Sequence, residues 1–190
     1  MKTIFILNGP PNSGKDTLAS FMTVKYGAQW LQFKDKLFEL AMSISNIDNY
    51  TWYERYNNRQ LKDAPWDMLG NLSQREFLIK ISEEWVKPIF GKDYFGKMSK
   101  HKIDEISSTP TFVPKNIFVF SDGGFIEEIN ALKDDDTQII IIHLYRTNTS
   151  FNNDSRTYIT INGCEHEELY NIHDLEVLFK NTSDIVNTYI

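Results

Sequence analysis

Residues 3–15, the stretch that decides the fold, read TIFILNGPPNSGK. The run at 3–8 is apolar, β-branched and aromatic, which is typical of a buried strand. Glycine, proline, asparagine and serine then fill residues 9–14, and apolar residues recur at helical spacing over 15–26. The segment therefore predicts a strand, a tight loop and a helix in direct succession.

The loop in this segment fits the pattern GxxxxGK, from Gly9 to Lys15. In such a loop glycines let backbone N–H groups curl around phosphate oxygens, and the helix start adds partial positive charge. The lysine reaches the β- and γ-phosphates of a nucleotide. The pattern therefore predicts an ATP site. Its residues are Gly9, Asn12, Ser13, Gly14, Lys15, Asp16 and Thr17.

The residue after the lysine departs from the usual pattern. A serine or threonine normally ligates Mg²⁺ there, whereas this chain has Asp16. Two roles are open for Asp16: it approaches the metal directly or through water, or it stabilises the positive end of the helix. Thr17 can offer its hydroxyl to the α-phosphate.

Further apolar runs alternate with helical patterns along the chain. Strands are predicted at residues 30–33, 117–120, 138–145 and 157–161, and helices at 34–44, 73–90, 93–106, 125–132 and 175–190. Continuous apolar strands that alternate with helices indicate a parallel sheet covered on both faces. We predict an α/β fold, a three-layer α/β/α sandwich with a mostly parallel five-stranded sheet.

Length and composition narrow the class of protein. The chain has 190 residues and a formal net charge of −6, with 41% hydrophobic and 24% charged residues. The length predicts a single domain. The negative charge disfavours nucleic acid as a partner, since phosphate backbones favour positively charged proteins. The lone Cys164 can form no internal disulfide, and the apolar run at 4–7 is too short for a signal peptide or membrane span. We expect a cytoplasmic protein without membrane contacts.

Three motifs follow one another along the chain: GKDT at 14–17, SQRE at 73–76 and SDGGF at 121–125, the last followed by Glu127 and Glu128. Together they resemble the phage-type deoxynucleoside monophosphate kinases, which are P-loop kinases related to adenylate and thymidylate kinases. The resemblance covers most of the chain. It implies a P-loop kinase fold, ATP and Mg²⁺ as cofactors, small-molecule nucleotides as partners and, for a phage protein, the host cytoplasm.

Asp122 follows the predicted strand at 117–120. Ligands of open α/β sheets bind beyond the carboxyl ends of the strands, so Asp122 is expected near the 9–15 loop. It is a candidate ligand of magnesium, directly or through water, or a contact to the nucleotide. The alternative is an aspartate that starts a turn before glycines.

Arg75 is the principal candidate for binding the acceptor phosphate. Ser73 and Glu76 form a predicted capping box, which puts Arg75 in the first helical turn, where a cation opposes the helix dipole. The resemblance places the acceptor site in this region, about residues 45–106. Asp35 and Trp66 are the other candidates, although Arg75 can also be a surface residue and Trp66 part of the core.

The polar segment 146–156 reads RTNTSFNNDSR. In the related kinases a mobile lid brings arginines onto the transferring phosphoryl group and excludes water. Arg146 and Arg156 fit that role. The alternatives are a solvated loop, or a lid within residues 45–70.

The expected activity is transfer of the ATP γ-phosphoryl group to a (deoxy)nucleoside monophosphate. The predicted catalytic residues are Lys15, Arg146, Arg156 and Asp122. One alternative is a P-loop kinase with a hydroxyl acceptor, a modified base in DNA or a small metabolite, using Asp35 or Asp122 as base. Another is an ATP-binding regulatory module without turnover. The sequence leaves open which base and sugar the acceptor carries and whether the protein forms a homodimer.

Overall fold

A five-stranded sheet forms the centre of the fold. The computed structural model describes residues 1–110, 116–152, 156–172 and 174–190. The strands are β1 (Lys2–Asn8), β2 (Gln29–Leu31), β3 (Ile117–Phe120), β4 (Thr137–Tyr145) and β5 (Glu165–Tyr170). All neighbouring strands are parallel, in the order β2-β3-β1-β4-β5. The carboxyl end of the central strand β1 therefore leads directly into the 9–15 loop.

Helices cover both faces of this sheet. They are α1 (Lys15–Tyr26), α2 (Asp35–Ser45), α3 (Asn49–Asn57), α4 (Arg59–Lys62), α5 (Gln74–Ile79), α6 (Lys87–Phe90), α7 (Tyr94–Ser108), α8 (Ile126–Asn130) and α9 (Leu175–Tyr189). Across the described ranges, no helix has both the length and the apolar character needed to cross a membrane.

Alternate residues of β1 face opposite layers, as the pleat of a strand requires. Phe5 and Leu7 pack against α1 and α9, while Ile4 and Ile6 pack against α7 and α8. Burial of both strand faces explains the continuous apolar runs in the sequence. The predicted α/β fold with a five-stranded parallel sheet is confirmed.

A third apolar cluster holds the helices between β2 and β3 together. Phe38 of α2, Trp52 of α3 and Phe95 of α7 are among its buried side chains. Residues 45–70 show no regular pattern in the sequence, yet they contain α3 and α4. Both helices are short and begin at polar caps, since Asp48 accepts a hydrogen bond from the Thr51 amide and Asn58 accepts from the Leu61 amide.

The helix predicted to begin after Ser73 has an interruption in the middle. The predicted capping box is present, with the Ser73 hydroxyl and the Glu76 carboxylate each accepting the other residue's amide. A π-helical stretch, Lys80–Val86, joins α5 to α6. It lies just before Pro88, which has no N–H and whose ring excludes an α-helical carbonyl four residues earlier.

The fifth strand lies elsewhere than predicted. Residues 157–161 form no strand, although Ile159 and Ile161 are buried against the sheet. Apolar and polar residues alternate over 159–161 as they do in a strand, because an extended segment that packs on a sheet also buries every second side chain. The actual edge strand β5 is polar and largely exposed, because it pairs with β4 on one side only. Its sequence therefore lacks the apolar run that marks the inner strands.

Candidate functional site: the 9–15 loop and an adjoining cavity

The 9–15 loop doubles back sharply between β1 and α1. Asn12 and Gly14 have positive φ angles of 64° and 107°, and the Ser13 amide donates to the Pro10 carbonyl at 3.2 Å. A Cβ atom on Gly9 would lie 2.6 Å from the Leu144 carbonyl oxygen of β4. Glycine at position 9 thus lets the loop pass close to the neighbouring strand.

The charge of Lys15 is held against the backbone of this loop. Its Nζ donates to the Gly9 and Pro10 carbonyls, each at 2.7 Å. The Ser13 hydroxyl is buried and makes no hydrogen bond within the described part of the chain. Asp16 and Thr17, in the first turn of α1, are exposed beside the loop.

Two side chains from distant parts of the chain also bind the loop. Arg146, just after β4, donates from NH1 to the Asn12 carbonyl at 2.9 Å. Asn171, just after β5, donates from Nδ2 to the Ser13 carbonyl at 2.8 Å. Sequence reasoning missed Asn171. Its position after a strand would have been a signal, but β5 itself was not predicted.

A cavity of about 470 Å³, here named the central cavity, opens between the loop after β3 and the helices α2, α5, α7 and α8. Basic side chains on its walls are Lys34, Lys62, Arg75, Lys87 and Arg156. Aromatic ones are Phe33, Phe38, Tyr56, Phe95 and Phe125. Acidic ones are Glu83, Asp122 and Glu128. This combination can hold an anionic group and a flat ring in one space.

Asp122 lies where the central cavity meets the sheet. Its Oδ2 accepts a hydrogen bond from the Lys34 amide at 3.1 Å, and its carbonyl accepts from Arg156 NH1 at 2.6 Å. Its Oδ1 is buried without a hydrogen-bond partner among the described residues. Burial raises the pKa of the Asp122 carboxyl above its usual value, although the positive charges of Lys34 and Arg156 act in the opposite direction.

Glu128 is a second buried carboxyl group in the cavity wall, and sequence reasoning gave it no role. Its Oε2 accepts a hydrogen bond from the Phe125 amide at 2.9 Å. Burial raises the pKa of Glu128 to about 7, and the negative charge of Asp122 adds to this shift. A Cβ on Gly96 would collide with the Glu128 backbone, so α7 and α8 pack closely here and bury the side chain.

Arg75 is the one predicted acceptor-site residue that lines the central cavity. Its side chain is 55% exposed, and its Nε donates to Asp63 Oδ1 at 2.7 Å. This hydrogen bond lowers the pKa of Asp63. The carboxylate thus offsets the unfavourable charge of Arg75 in the first turn of α5.

The other two predicted acceptor-site residues lie outside the central cavity. Asp35 lines a separate cavity of about 600 Å³, and its Oδ2 accepts from the Gln32 amide at 2.9 Å. The Asp35 side chain therefore binds the backbone just before its own helix. Trp66 packs against the helical core, with the Arg55 guanidinium 4.8 Å from its ring centre.

The two arginines of the predicted lid lie at different parts of this site. Arg146 binds the loop, and Arg156 binds the Asp122 carbonyl in the cavity wall. Residues 153–155 of the predicted lid lie outside the described residues. The contacts therefore show where the two guanidinium groups are, while closure of a lid stays a prediction.

The predicted metal ligands Asp16 and Asp122 belong to no larger ligand group. Among the described residues, no three His, Cys, Asp or Glu side chains come together to hold a metal ion. That arrangement still suits Mg²⁺ that arrives with a nucleotide, because Mg²⁺ commonly takes one or two protein carboxylates and completes its shell with phosphates and water.

No protein-family model matches the chain, and no curated protein matches it.

Proposed function

We propose that the protein is a P-loop-type kinase that transfers the ATP γ-phosphoryl group to a (deoxy)nucleoside monophosphate. One observation carries the proposal: the 9–15 loop and the central cavity adjoin each other at the carboxyl edge of the sheet. Asn8 links the two regions. It directly precedes Gly9 of the loop, and its Nδ2 would lie 3.3 Å from a Cβ atom placed on Gly123, the residue after Asp122. A donor and an acceptor nucleotide can thus bind side by side.

The loop suits the phosphates of ATP. Its close packing on β4 requires glycine at position 9, and the buried Ser13 hydroxyl offers an unused hydrogen-bond donor. Lys15 would exchange its loop carbonyls for phosphate oxygens. Asp16 and Asp122 are the residues that would hold Mg²⁺, which neutralises phosphate charge when bound, and Thr17 would offer its hydroxyl to the α-phosphate.

The central cavity suits a nucleoside monophosphate. Its volume of about 470 Å³ lies within the range of small-molecule sites. Its basic walls contrast with a chain whose net charge is −6, so positive charge is concentrated where an anion would bind. Arg75 and Lys62 are candidates for the phosphate, and the aromatic rings are candidates for the base.

The reaction needs little covalent chemistry from the protein. The acceptor phosphate is already anionic, so no strong base is required, and positioning and charge stabilisation suffice. Lys15 and Arg146 lie on the donor side and Arg156 on the acceptor side, so their charges would converge on the phosphoryl group between the two nucleotides.

A kinase with a hydroxyl acceptor is the second candidate, favoured by Asp122. Its Oδ1 is buried without a partner in the described chain, and burial raises its pKa, so it is equipped to accept a proton. Asp35, the other base considered, lines a different cavity.

The deciding experiment is a coupled assay of ADP release across the eight common NMPs and dNMPs, with single-stranded DNA as a control. Turnover with one or a few monophosphates is the expected result. Turnover only with DNA or with a hydroxyl compound would favour the second candidate. ATP binding without turnover on any acceptor would indicate a regulatory module.

A further inference from the structure

The 157–161 segment begins directly after Arg156 and is held by side chains instead of by a strand ladder. Asn8 donates from Nδ2 to the Thr157 carbonyl at 3.2 Å, and its Oδ1 accepts from the Ile159 amide at 2.9 Å. His143 Nε2 bonds to the Ile159 carbonyl at 2.8 Å. Two side chains thus bond to three polar backbone groups of the segment, one on Thr157 and two on Ile159.

The amide of Asn8 takes the place of a backbone peptide in this arrangement. In a parallel ladder, one residue donates to a carbonyl and accepts from an N–H two residues further along the partner strand. Asn8 does the same with Thr157 and Ile159, using its side chain. Asn8 and His143 are also register partners on β1 and β4, so their side chains lie on the same face of the sheet.

Asn8 is buried, with 1% of its surface exposed, and both of its amide atoms are used. It is also the last residue of β1, next to Gly9 of the loop. Removing its side chain would leave the buried Ile159 amide without a partner, which proteins avoid, and would also release the Thr157 carbonyl. The segment would then lose its fixed position at the end nearest Arg156.

We infer that Asn8 is a positioning residue for Arg156, an inference that rests on the proposed function. By fixing Thr157 and Ile159, Asn8 fixes the backbone that carries Arg156. The guanidinium is thereby held at the Asp122 carbonyl, at the border between the loop and the central cavity. Asn8 thus couples the phosphate loop to an arginine far along the chain without touching a substrate.

The kinetic test compares Asn8→Ala with a change at the far end of the same segment. There the Ile161 amide donates to His166 Nε2 at 3.1 Å, so His166→Leu removes one hydrogen bond remote from Arg156. Asn8→Ala should lower kcat about tenfold or more, because a displacement of about 1 Å can cost up to about 100-fold, with little change in either KM. His166→Leu should leave kcat within about twofold of the wild type.

A double-mutant cycle separates action through Arg156 from action through the loop. If Asn8 acts through Arg156, Asn8→Ala should have no further effect on kcat once Arg156→Ala is present. If the kcat losses of the two single variants multiply in the double variant, the inference is overturned. It is also overturned if His166→Leu loses as much kcat as Asn8→Ala. Asn8→Ser, whose shorter hydroxyl cannot reach both backbone groups, should give the same pattern and serves if Asn8→Ala does not fold.

A structural readout tests the inference apart from activity. By NMR, the Arg156 guanidinium and the Ile159 amide should be protected from exchange in the wild type and lose protection in Asn8→Ala and Asn8→Ser. Retained protection of Arg156 in both variants overturns the positioning role whatever the assay shows. Lost protection in a protein without turnover on any acceptor supports the positioning role and removes the kinase proposal.

Discussion

The 9–15 loop and the central cavity are adjacent but are built in opposite ways. The loop consists of consecutive residues, and under the proposed function it would bind phosphate mainly through backbone amides together with Lys15. The cavity is assembled from the loop after β3, from the helices α2 to α8 with the π-helical stretch, and from Arg156, which are far apart in the sequence. The loop is therefore a local structure, whereas the cavity exists only in the folded chain.

The two regions also carry charge differently. In the loop, the positive charge of Lys15 lies against carbonyl groups. In the cavity, positive side chains lie beside carboxyl groups, as in the pairs Arg75–Asp63 and Lys87–Glu83. Substitution of Lys15 should therefore affect chemistry more than stability, while substitutions in the cavity should affect acceptor binding, stability or both.

The largest effect is expected in the loop, for Lys15→Ala. Loss of a charge preorganised for the transferring phosphoryl group costs about 3 kcal/mol or more in the transition state, so kcat should fall by at least about 100-fold. The melting temperature should change little. The measurement is the ADP-release assay with the best acceptor. Lys102→Ala, which removes an exposed lysine of α7, is the matched control, and near wild-type turnover of Lys15→Ala would overturn the kinase proposal.

The buried carboxyl of Glu128 should make the stability of the cavity region depend on pH. The folded-state pKa of about 7 lies above the usual value of 4.5, so the carboxyl favours folding below about pH 4.5, and this contribution is lost as the pH rises to about 7. Glu128→Gln keeps the acceptor for the Phe125 amide but cannot ionise. Its gain in unfolding free energy should grow to at most about 3 kcal/mol by pH 8.

Denaturant unfolding at several pH values between 4 and 8 measures this difference. Asp122 contributes to the pH dependence of both proteins, so only the difference between them reports on Glu128. Parallel stability curves for wild type and Glu128→Gln would show that the carboxyl is not held neutral by burial.

The two arginines of the predicted lid connect the two regions, and each should be needed for turnover. Arg146→Ala and Arg156→Ala should each lower kcat about 100-fold while ATP binding weakens little, since the contacts strengthen in the transition state. Arg146→Lys and Arg156→Lys should each restore kcat only partly, because lysine lacks the planar guanidinium group that binds two phosphate oxygens. Full kcat in both alanine variants would make residues 146–156 an ordinary loop.

The smallest effect is expected for Arg75→Ala, and it should be confined to the acceptor. Loss of one exposed phosphate contact should raise the acceptor KM about tenfold and leave the KM for ATP unchanged. Asp63→Ala is the matched control, since it removes the same surface ion pair, which contributes little to stability, but keeps the arginine. Equal effects of the two variants would identify the pair as purely structural.

The sequence alone determined the parts of this protein that depend on neighbouring residues. The apolar run of β1, the GxxxxGK loop and the helix α1 follow from local periodicity and glycine conformation, and so does the capping box of Ser73 and Glu76. The alternation of apolar strands and helices was enough to predict the parallel sheet and its strands β1 to β4, but not the polar edge strand β5. The carboxyl ends of neighbouring parallel strands share one edge, and there Gly123, next to Asp122, lies beside Asn8, which leads into the loop.

Contacts between segments that are distant in the sequence set the remaining properties of the site. In the sequence, Glu128 resembles a surface acid. Its pKa is raised by burial, and α7 packs closely on α8 at this point because residue 96 is glycine. Asn8 resembles any turn asparagine until the chain returns with Thr157 and Ile159 to bind its amide. Burial, desolvation and hydrogen bonds to returning backbone are set by how the chain packs, and no local pattern encodes them.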